Sequence, residues 1–346
     1  MDEKLDRLKK GIQSFFDEGT VTIVGSGLSC AEGISGMKEL SEQLLKDVPS
    51  ELTKKDKVVW EKVKEALNAG IDLESALQQT KISPEVENAI MKSAYKLISS
   101  EDKEVFIDIL ENRRELIFSE YLSKFTLDLY NLVVITTNYD LLIEYACESK
   151  GYAYLDSFYG GIISKYFSDL LFERNSSIDF KRKRLTKYSK PHINIYKPHG
   201  SINWKYIDRN LYKINHIDCG NPCIITPGSN KYERGYSPPF DYHIGKMGQE
   251  IDFAKRLVFL GYGFNDNHLE THLENNKDKP KLIVSKALSK NAKKIIKDSH
   301  NTIALEENLI NGCSIGTKVY IDNQTYEIEE KAIWNLKELI KEIFNE

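Results

Sequence analysis

A glycine- and serine-rich turn follows the first strong strand signal of the chain. Residues 21–36 read V-T-I-V-G-S-G-L-S-C-A-E-G-I-S-G. The β-branched run at 21–24 predicts a buried strand, and the pattern after the glycines predicts a helix. Glycines permit a close approach of the main chain to a pyrophosphate, and serines add hydroxyl donors. The residues of this turn that we expect to bind a phosphate-containing ligand are Gly25, Ser26, Gly27 and Ser29.

This turn departs from the dinucleotide-binding fingerprint G-x-G-x-x-G. Cys30 stands where the third glycine belongs, and Gly33 follows three residues later. A strand-to-helix turn without a ligand is therefore the alternative interpretation of the motif taken alone. A dinucleotide-dependent oxidoreductase would also need an acidic residue about 20 residues further on to bind the ribose. The acidic residues nearby, Glu42 and Asp47, lie in a helical pattern, which argues against that class.

Two more motifs follow predicted strands and carry polar residues suited to catalysis. In I-T-T-N-Y-D-L-L-I-E, Asn138 and Asp140 come directly after a strand. Starting the next helix is the structural alternative for both residues. In Y-K-P-H-G-S-I-N-W, His199 stands in a loop between a proline and a glycine. An imidazole titrates near neutral pH and is a candidate general base there, and a structural histidine is the alternative.

The fourth motif, L-V-F-L-G-Y-G-F-N-D-N-H-L, ends a buried strand in a second glycine turn. Gly261 and Gly263 permit another close approach, and Asp266 is available to bind a ribose hydroxyl or to start a helix. His268 and His272 follow one helical turn apart in H-L-E-T-H. Because two ligands do not make a metal site, we expect no metal.

The strand signals predict an α/β fold, a Rossmann-like doubly wound parallel sheet with ligand-binding residues at the carboxyl ends of its strands. Short apolar runs, each followed by turn residues, mark the expected strands at 21–24, 132–135, 193–196, 223–225, 257–260 and 281–284. The stretch of about 37–127 is helical in pattern and predicts an inserted module. Residues 1–300 are predicted to form the main domain. Residues 301–346 are predicted to add a hairpin around 322–324 and a helix over 331–344, for packing or oligomerisation.

Composition describes an ordinary globular protein. The 346 residues are 41% hydrophobic and 29% charged, with a net charge of -4. This balance gives no general reason for binding nucleic acid or a membrane, and no apolar run is long enough to span one. The five cysteines are scattered, with one close pair at Cys219 and Cys223, so we expect reduced thiols, no zinc site and a cytoplasmic location. The basic run Lys181 to Lys190 is either a solvated loop or a docking patch for an acidic partner.

Taken in order, the four motifs resemble the sirtuin superfamily over roughly residues 20–290, the helical module excepted. Sirtuins carry G-A-G-x-S-x-x-x-G-I-P-D-F-R, then T-Q-N-I-D, then H-G, then a G-T-S type of turn. The chain matches this pattern at Gly25, Gly27, Ser29, Gly33, Ile34, Asn138, Asp140, His199 and Gly200. It departs from the protein deacylases at 35–38, where S-G-M-K replaces P-D-F-R, and it lacks the two cysteine pairs of their zinc ribbon.

T-T-N-Y-D-L-L-I-E, H-G-S-I-N-W and G-Y-G-F-N-D-x-H look instead like the sirtuin-like domains of bacterial anti-phage defence systems, whose members hydrolyse NAD. The resemblance implies that residues 1–300 form an NAD-binding catalytic domain with NAD as its substrate. It implies that Asn138 orients a water or the nicotinamide ribose, and that His199 is the general base. Asp140 would bind the nicotinamide amide or fix the Asn138 loop. Of the remaining cofactor-binding residues, Gly25, Ser26, Gly27 and Ser29 would lie at the pyrophosphate, and Gly261, Gly263 and Asp266 at the adenosine half. Gly33 completes the cofactor-binding set.

Two other functions stay open beside an NAD glycohydrolase that depletes NAD during infection. One is a non-catalytic regulatory module that binds NAD or ADP-ribose, and the other is an NAD-dependent protein deacylase. No sensor or nuclease segment is recognisable, so we expect a homo-oligomer that works with a separately encoded ATPase or sensor. The helical module and the basic run are the surfaces on which such a partner would dock. Direct binding to nucleic acid or to a membrane is not expected.

Overall fold

The computed structural model describes residues 2–161, 163–167, 176–181, 184–215, 219–228, 235–321 and 324–344. The strands, in chain order, are β1 (Thr20–Val24), β2 (Leu132–Thr136), β3 (Tyr154–Leu155), β4 (Phe158–Gly160), β5 (Ser164–Tyr166), β6 (Ser176–Lys181), β7 (Arg184–Ser189), β8 (Ile193–Tyr196), β9 (Gly200–Ile207), β10 (Asn210–Lys213), β11 (Asn221–Ile224), β12 (Arg256–Leu260), β13 (Lys281–Val284), β14 (Thr302–Ile310), β15 (Cys313–Ile321) and β16 (Gln324–Glu329). The helices are α1 (Asp2–Gln13), α2 (Ser26–Ala31), α3 (Met37–Glu51), α4 (Lys54–Asn68), α5 (Leu73–Gln79), α6 (Pro84–Leu110), α7 (Ile117–Ser123), α8 (Leu142–Ser149), α9 (Phe240–Phe253), α10 (Asn267–Asn275), α11 (Lys290–Asp298) and α12 (Leu336–Phe344).

A nine-stranded sheet forms the centre of the molecule, in the order β16-β15-β14-β13-β12-β1-β2-β8-β3. The strands from β14 to β3 pair in parallel, and β15 and β16 extend the sheet in antiparallel fashion. Val24 lies beside both Leu260 and Thr136, and Ile135 lies beside Tyr196. The carboxyl ends of β12, β1, β2 and β8 therefore meet at one edge. The predicted α/β fold with a Rossmann-like parallel sheet is confirmed.

Alternating residues of the parallel strands serve two cores, one on each face of the sheet. Val24, Val134 and Leu260 face a core shared with α1, α7, α8 and α12. Ile23 and the other strand residues whose side chains point to the opposite face of the sheet pack in a core shared with α9, α10 and α11. Burial on both faces explains why these strands read as continuous apolar runs in the sequence.

The inserted module begins after α2 and consists of α3, α4, α5 and α6, with a core of its own around Trp60 and Val63. Its helix starts follow from capping side chains. Thr53, Asp72 and Ser83 each accept a hydrogen bond from an amide in the first turn of α4, α5 and α6. Helices α3 to α7 lie within the stretch predicted to be helical, and α7 returns the chain to the main sheet.

The prediction that residues 223–225 form a strand of the parallel sheet is wrong. Cys223 belongs to β11, which lies in a separate five-stranded sheet of order β11-β9-β10-β5-β4. There β11 pairs antiparallel with β9, and Cys223 packs on Phe158, Trp204 and Phe240 in a small core. An apolar run in the sequence indicates that a segment is buried. It does not indicate to which sheet the buried strand belongs.

The C-terminal residues join the main sheet. β14 pairs in parallel with β13, and β15 and β16 form the predicted hairpin, whose residues 322–323 lie outside the described residues. The last helix begins at Leu336, later than predicted, and its buried face shares the core of α1. The basic run Lys181 to Lys190 includes the end of β6 and all of β7, and its residues 182–183 and the side chains of these strands lie outside the described residues. No helix among the described residues is long and apolar enough to cross a membrane.

Candidate active-site cleft

A cleft of about 260 Å³ opens at the carboxyl edge of the parallel sheet, where the four sequence motifs converge. The predicted site residues that line this cleft are Gly25, Ser26, Ser29, Asn138, Asp140, His199, Gly263 and Asp266. Gly27, Gly33 and Gly261 do not line it. The helical module closes the opposite wall with residues that sequence reasoning did not single out, among them Met37, Leu40, Asp72, Leu73, Glu74 and Ile98.

The first and last glycine turns pack against each other, backbone to backbone. A Cβ on Gly25 would lie 2.5 Å from the carbonyl oxygen of Gly261, and one on Gly27 would lie 2.7 Å from its Cα. Gly261 has a φ of +58° and leaves no room for a Cβ beside the amide of Leu28. These glycines therefore let two strand ends touch, which adds a packing role to the ligand role predicted from the sequence.

Backbone amides at the start of α2 are partly engaged within the protein. The Gly25 amide donates to the carbonyl of Leu260, and the Gly27 amide donates to Gly261, both at 3.0 Å. Gly33 has a φ of +88°, so its conformation favours glycine independently of any ligand. The hydroxyl and main chain of Ser26, which is exposed and lines the cleft, are left as the nearest contacts for a phosphate at this turn.

Ser29, Asn138 and Asp140 form a continuous hydrogen-bond network, here called the asparagine side of the cleft. Asn138 Nδ2 donates to the Gly25 carbonyl at 2.9 Å and to Ser29 Oγ at 2.8 Å. Ser29 Oγ in turn donates to Asp140 Oδ2 at 2.6 Å, while Asp140 Oδ1 accepts from the Leu142 amide at 3.2 Å. Both amide protons of Asn138 are thus engaged, which leaves its carbonyl oxygen as an acceptor for a ligand.

The residue that directly precedes α8 is Leu141, and no side chain at that position caps the helix. Asn138 therefore does not act as the helix cap that the structural alternative required. Asp140 does contact the first turn of α8 through its bond to the Leu142 amide. Of the roles predicted for Asp140, fixing the Asn138 loop is the one that these contacts perform.

A buried ion pair supports the asparagine side from beneath. Lys197 Nζ donates to the Asp140 carbonyl at 2.5 Å and to Glu144 Oε1 at 2.9 Å. The Lys197 side chain is fully buried and that of Glu144 is 5% exposed. Burial raises the pKa of Glu144, and the ammonium of Lys197 opposes that rise. Sequence reasoning missed Lys197, although it stands two residues before His199 in Y-K-P-H-G.

The long helix of the inserted module supports the same loop from behind. Asp102 of α6 accepts hydrogen bonds from the Leu141 amide at 2.8 Å and from the Tyr145 hydroxyl at 2.6 Å. Burial raises the pKa of Asp102 to about 7, although both hydrogen bonds act to lower it. One residue earlier, Glu101 accepts from the amide and hydroxyl of Ser35 at the cleft wall. The inserted module therefore positions the loop that carries Asn138.

His199 and Asp266 form the other side of the cleft, here called the histidine side. His199 Nε2 lies 2.7 Å from Asp266 Oδ2, and the two side chains are 12% and 9% exposed. His199 is followed by Gly200, whose φ of +83° and contact with the Cys223 carbonyl admit only glycine. This turn ends β8, starts β9 and places the imidazole at the sheet edge.

Asp266 divides its carboxylate between two partners. Oδ1 accepts from the Leu269 amide at 3.2 Å, in the first turn of α10, while Oδ2 contacts His199. Asp266 therefore contacts both the first turn of α10 and the imidazole of His199. The carboxylate holds the imidazole with its proton on Nε2, which leaves Nδ1 as the basic nitrogen. Binding to the adenosine half of a ligand stays a prediction for Asp266.

Two histidines were candidates for a metal site. His272 Nδ1 lies 3.4 Å from Asp252 Oδ2, and the side chain of His268 lies outside the described residues. Within the described part of the chain, no group of three or more His, Cys, Asp or Glu side chains is arranged to hold a metal ion.

Comparison with known proteins identifies the family. A profile of the SIR2-like domain matches residues 132–308, which is more than half of the chain. The chain belongs to the SIR2-like domain family, so the predicted membership of the sirtuin superfamily is confirmed. No curated protein matches it significantly.

Solved structures similar to the chain include several Sir2 enzymes. A Sir2 enzyme studied for its mechanism and regulation shares 12% identity, covers 100% of this chain and 98% of its own, and has a TM-score of 0.42. A Sir2 homologue in complex with NAD shares 12% identity, covers 86% of this chain and 87% of its own, and has a TM-score of 0.37. A histidine-to-asparagine variant of a Sir2 homologue in complex with ADP-ribose shares 13% identity, covers 98% and 96%, and has a TM-score of 0.41.

Proposed function

We propose that this protein is an NAD⁺ hydrolase that cleaves the bond between nicotinamide and ribose, with water as the acceptor, to give nicotinamide, ADP-ribose and a proton. The observation that carries the proposal is the placement of Asn138 and His199 at one cleft, each held by hydrogen bonds at the ends of neighbouring strands. Binding of NAD alone requires neither an oriented amide nor a histidine paired with a carboxylate.

Cleavage of the glycosidic bond leaves positive charge on the ribose in the transition state. The described lining of the cleft includes the carboxylates of Asp72, Glu74, Asp140 and Asp266, and it contains no lysine or arginine. Negative groups placed where positive charge develops stabilise the transition state. The diphosphate of NAD would then depend on neutral donors, of which the Ser26 hydroxyl and its main chain are the nearest.

Asn138 and His199 divide the chemistry between them. With its amide protons engaged by Gly25 and Ser29, Asn138 offers its carbonyl oxygen to a ribose hydroxyl or to the attacking water. His199, with Nε2 at Asp266, offers Nδ1 as the base that removes the proton of the water or of a ribose hydroxyl. Asp266 acts by positioning the imidazole.

We further propose that NAD depletion by this enzyme serves anti-phage defence. This role is supported by the likeness of T-T-N-Y-D-L-L-I-E, H-G-S-I-N-W and G-Y-G-F-N-D-x-H to defence-associated sirtuin-like domains. An activator is part of the proposal, because uncontrolled NAD hydrolysis would be harmful to the cell. A homo-oligomer with a separately encoded ATPase or sensor would supply that control.

The test is NAD turnover by the purified chain, with nicotinamide and ADP-ribose separated by chromatography. His199→Ala and Asn138→Ala are each expected to lower turnover by about 10²–10⁴-fold, the usual contribution of a group acting on the reacting atoms. His300→Ala and Asn68→Ala change the same residue types at exposed positions outside the cleft and should leave turnover unchanged.

The alternatives give different results in the same experiment. Binding of NAD without turnover, also in the presence of the co-expressed neighbouring gene product, would indicate the regulatory module. NAD consumption that depends on an acetyl-lysine peptide would indicate a deacylase. Absence of binding of both NAD and ADP-ribose would contradict all three functions.

A further inference from the structure

A second cavity, of about 500 Å³, lies between the inserted module and the small antiparallel sheet. One wall is a face of α6, whose lining residues recur at helical spacing from Asn88 to Lys103. The other wall is formed by β9 and by the start of β11. The cavity is separate from the active-site cleft, since the described linings of the two share no residue. Its volume falls within the range of about 300–1,000 Å³ typical of small-molecule sites.

The lining of this cavity is strongly cationic, in contrast to the acidic lining of the cleft. Lys92, Lys96 and Lys103 project from one face of α6, and Lys205 of β9 joins them from the opposite wall. Lys205 is only 1% exposed, and its ammonium lies 3.4 Å from the centre of the Tyr95 ring. The one acidic residue among the described lining is Asp102, which is buried and engaged with Leu141 and Tyr145.

The cavity also offers groups that recognise an uncharged part of a ligand. Asn203 is 5% exposed, and its amide nitrogen donates to Asn215 at 2.8 Å. Its carbonyl oxygen is buried and has no hydrogen-bond partner among the described residues. A buried acceptor of this kind costs free energy unless a ligand hydroxyl or amino group satisfies it. Tyr95 and Ile202 add apolar surface on the two walls.

We propose that this cavity binds a nucleoside phosphate, with the phosphate groups at the lysines and the sugar or base near Asn203 and Tyr95. Four cations, a buried acceptor and an aromatic ring together match an anion that also carries hydroxyl, amino and aromatic groups. An inorganic phosphate would use only the lysines and would leave Asn203 unsatisfied.

The cavity shares structural elements with the loop that carries Asn138. Asp102 lines the cavity and accepts from the Leu141 amide, while Ile202, also in the lining, donates its amide to the Tyr139 carbonyl at 2.9 Å. A ligand that draws α6 and β9 together acts on both ends of this loop. Occupancy of the cavity is therefore coupled to the order of residues 138–142.

The test is calorimetric binding of ADP, inorganic pyrophosphate and adenosine to the full chain. ADP is expected to bind more tightly than either of the other two probes, and more weakly at high salt because the contacts are ionic. Lys92→Glu combined with Lys103→Glu should weaken ADP binding by about tenfold or more, since two positive charges near the phosphates become negative. Both lysines are exposed, so the fold is retained.

The matched control is Lys57→Glu combined with Lys62→Glu, two exposed lysines on α4 of the same module and outside the cavity lining. These reversals should leave ADP binding unchanged. Absence of ADP binding, or binding as tight for pyrophosphate as for ADP, would overturn the proposal. ADP binding that persists in Lys92→Glu/Lys103→Glu but is lost in Asn138→Ala would place ADP in the active-site cleft and would overturn it as well.

Coupling to the loop is measured by amide hydrogen exchange, independently of any turnover. ADP should slow exchange at the Leu141 amide and in residues 138–142 of the wild type, and should have no effect there in Lys92→Glu/Lys103→Glu. Unchanged exchange in the wild type with ADP bound would overturn the coupling.

Discussion

The two sides of the active-site cleft are held in different ways. On the asparagine side, Ser29, Asn138 and Asp140 are linked by short hydrogen bonds. That network rests on the buried pair of Lys197 with Glu144 and on Asp102 of the inserted module. On the histidine side, within the described part of the chain, the carboxylate of Asp266 holds the imidazole of His199.

This difference assigns a separate property to each side of the cleft. The asparagine side sets the geometry in which a ligand binds, and the histidine side transfers a proton. A network whose hydrogen bonds depend on one another is preorganised for binding. The loss of one side chain that supports it therefore disturbs the whole network. A side chain held by one carboxylate keeps its backbone position when that carboxylate is changed, and only its orientation is lost. We therefore expect changes beneath the asparagine side to act on stability, and changes on the histidine side to act on rate.

Lys197→Met gives the largest expected effect, because it leaves Glu144 buried without its cation. The free energy of unfolding should fall by about 3–5 kcal/mol, measured by urea denaturation. The matched control is Lys150→Met, which breaks the exposed pair with Glu115 and should cost less than about 1 kcal/mol. Equal losses for the two variants would contradict a special support beneath the Asn138 loop.

Asp102→Asn tests the support that comes from the inserted module. In the folded protein the pKa of Asp102 is raised from 3.8 to about 7 by burial, so the fold favours its protonated form. The contribution of Asp102 to stability is fully present below about pH 4 and is lost as the pH rises towards 7, a change of up to about 4 kcal/mol. The variant should therefore lack this part of the pH dependence when unfolding is followed from pH 4 to 8.

Asp298→Asn serves as the control for that measurement, since Asp298 is an exposed aspartate at the end of α11. Its unfolding curves should parallel those of the wild type across the same pH range. A wild-type profile that matches Asp102→Asn would show that Asp102 is ionised in the fold.

Asp266→Asn is the smallest and most selective change. An amide can still accept from Leu269 and keep α10 capped, but it no longer provides a charged partner for His199. We expect kcat for NAD to fall by about 10–100-fold, the range seen when a carboxylate that orients a metal-bound histidine is lost. KM and stability should change little.

The control is Asp252→Asn, because Asp252 contacts His272 on the surface in a similar pairing. It should leave kcat unchanged. A large rise in KM for Asp266→Asn with constant kcat would instead favour the ribose-binding role predicted from the sequence.

The sequence was sufficient for the parallel strands and for the residues that follow them, because buried strands and glycine turns have strong local signals. It was insufficient where partners are distant along the chain. Asp102 meets Leu141 across 39 positions, and nothing near Asp102 distinguishes it from other helical acids. The pairing of His199 with Asp266 depends on β8 and β12 ending at the same edge. The strand at Cys223 was misplaced because its burial comes from a second sheet.

The contact between the two glycine turns affects which residues we expect related chains to retain. Gly25, Gly27 and Gly261 are required by the backbone of the protein itself, since a methyl group at any of them would push β1 and β12 apart. Descendants that had exchanged or lost their ligand would still keep these glycines. Asn138 and His199 take no part in the backbone contact between the two turns, so their replacement would not push β1 and β12 apart. In a set of related chains, the asparagine and the histidine are therefore the marks of retained chemistry, while the glycines mark only shared descent.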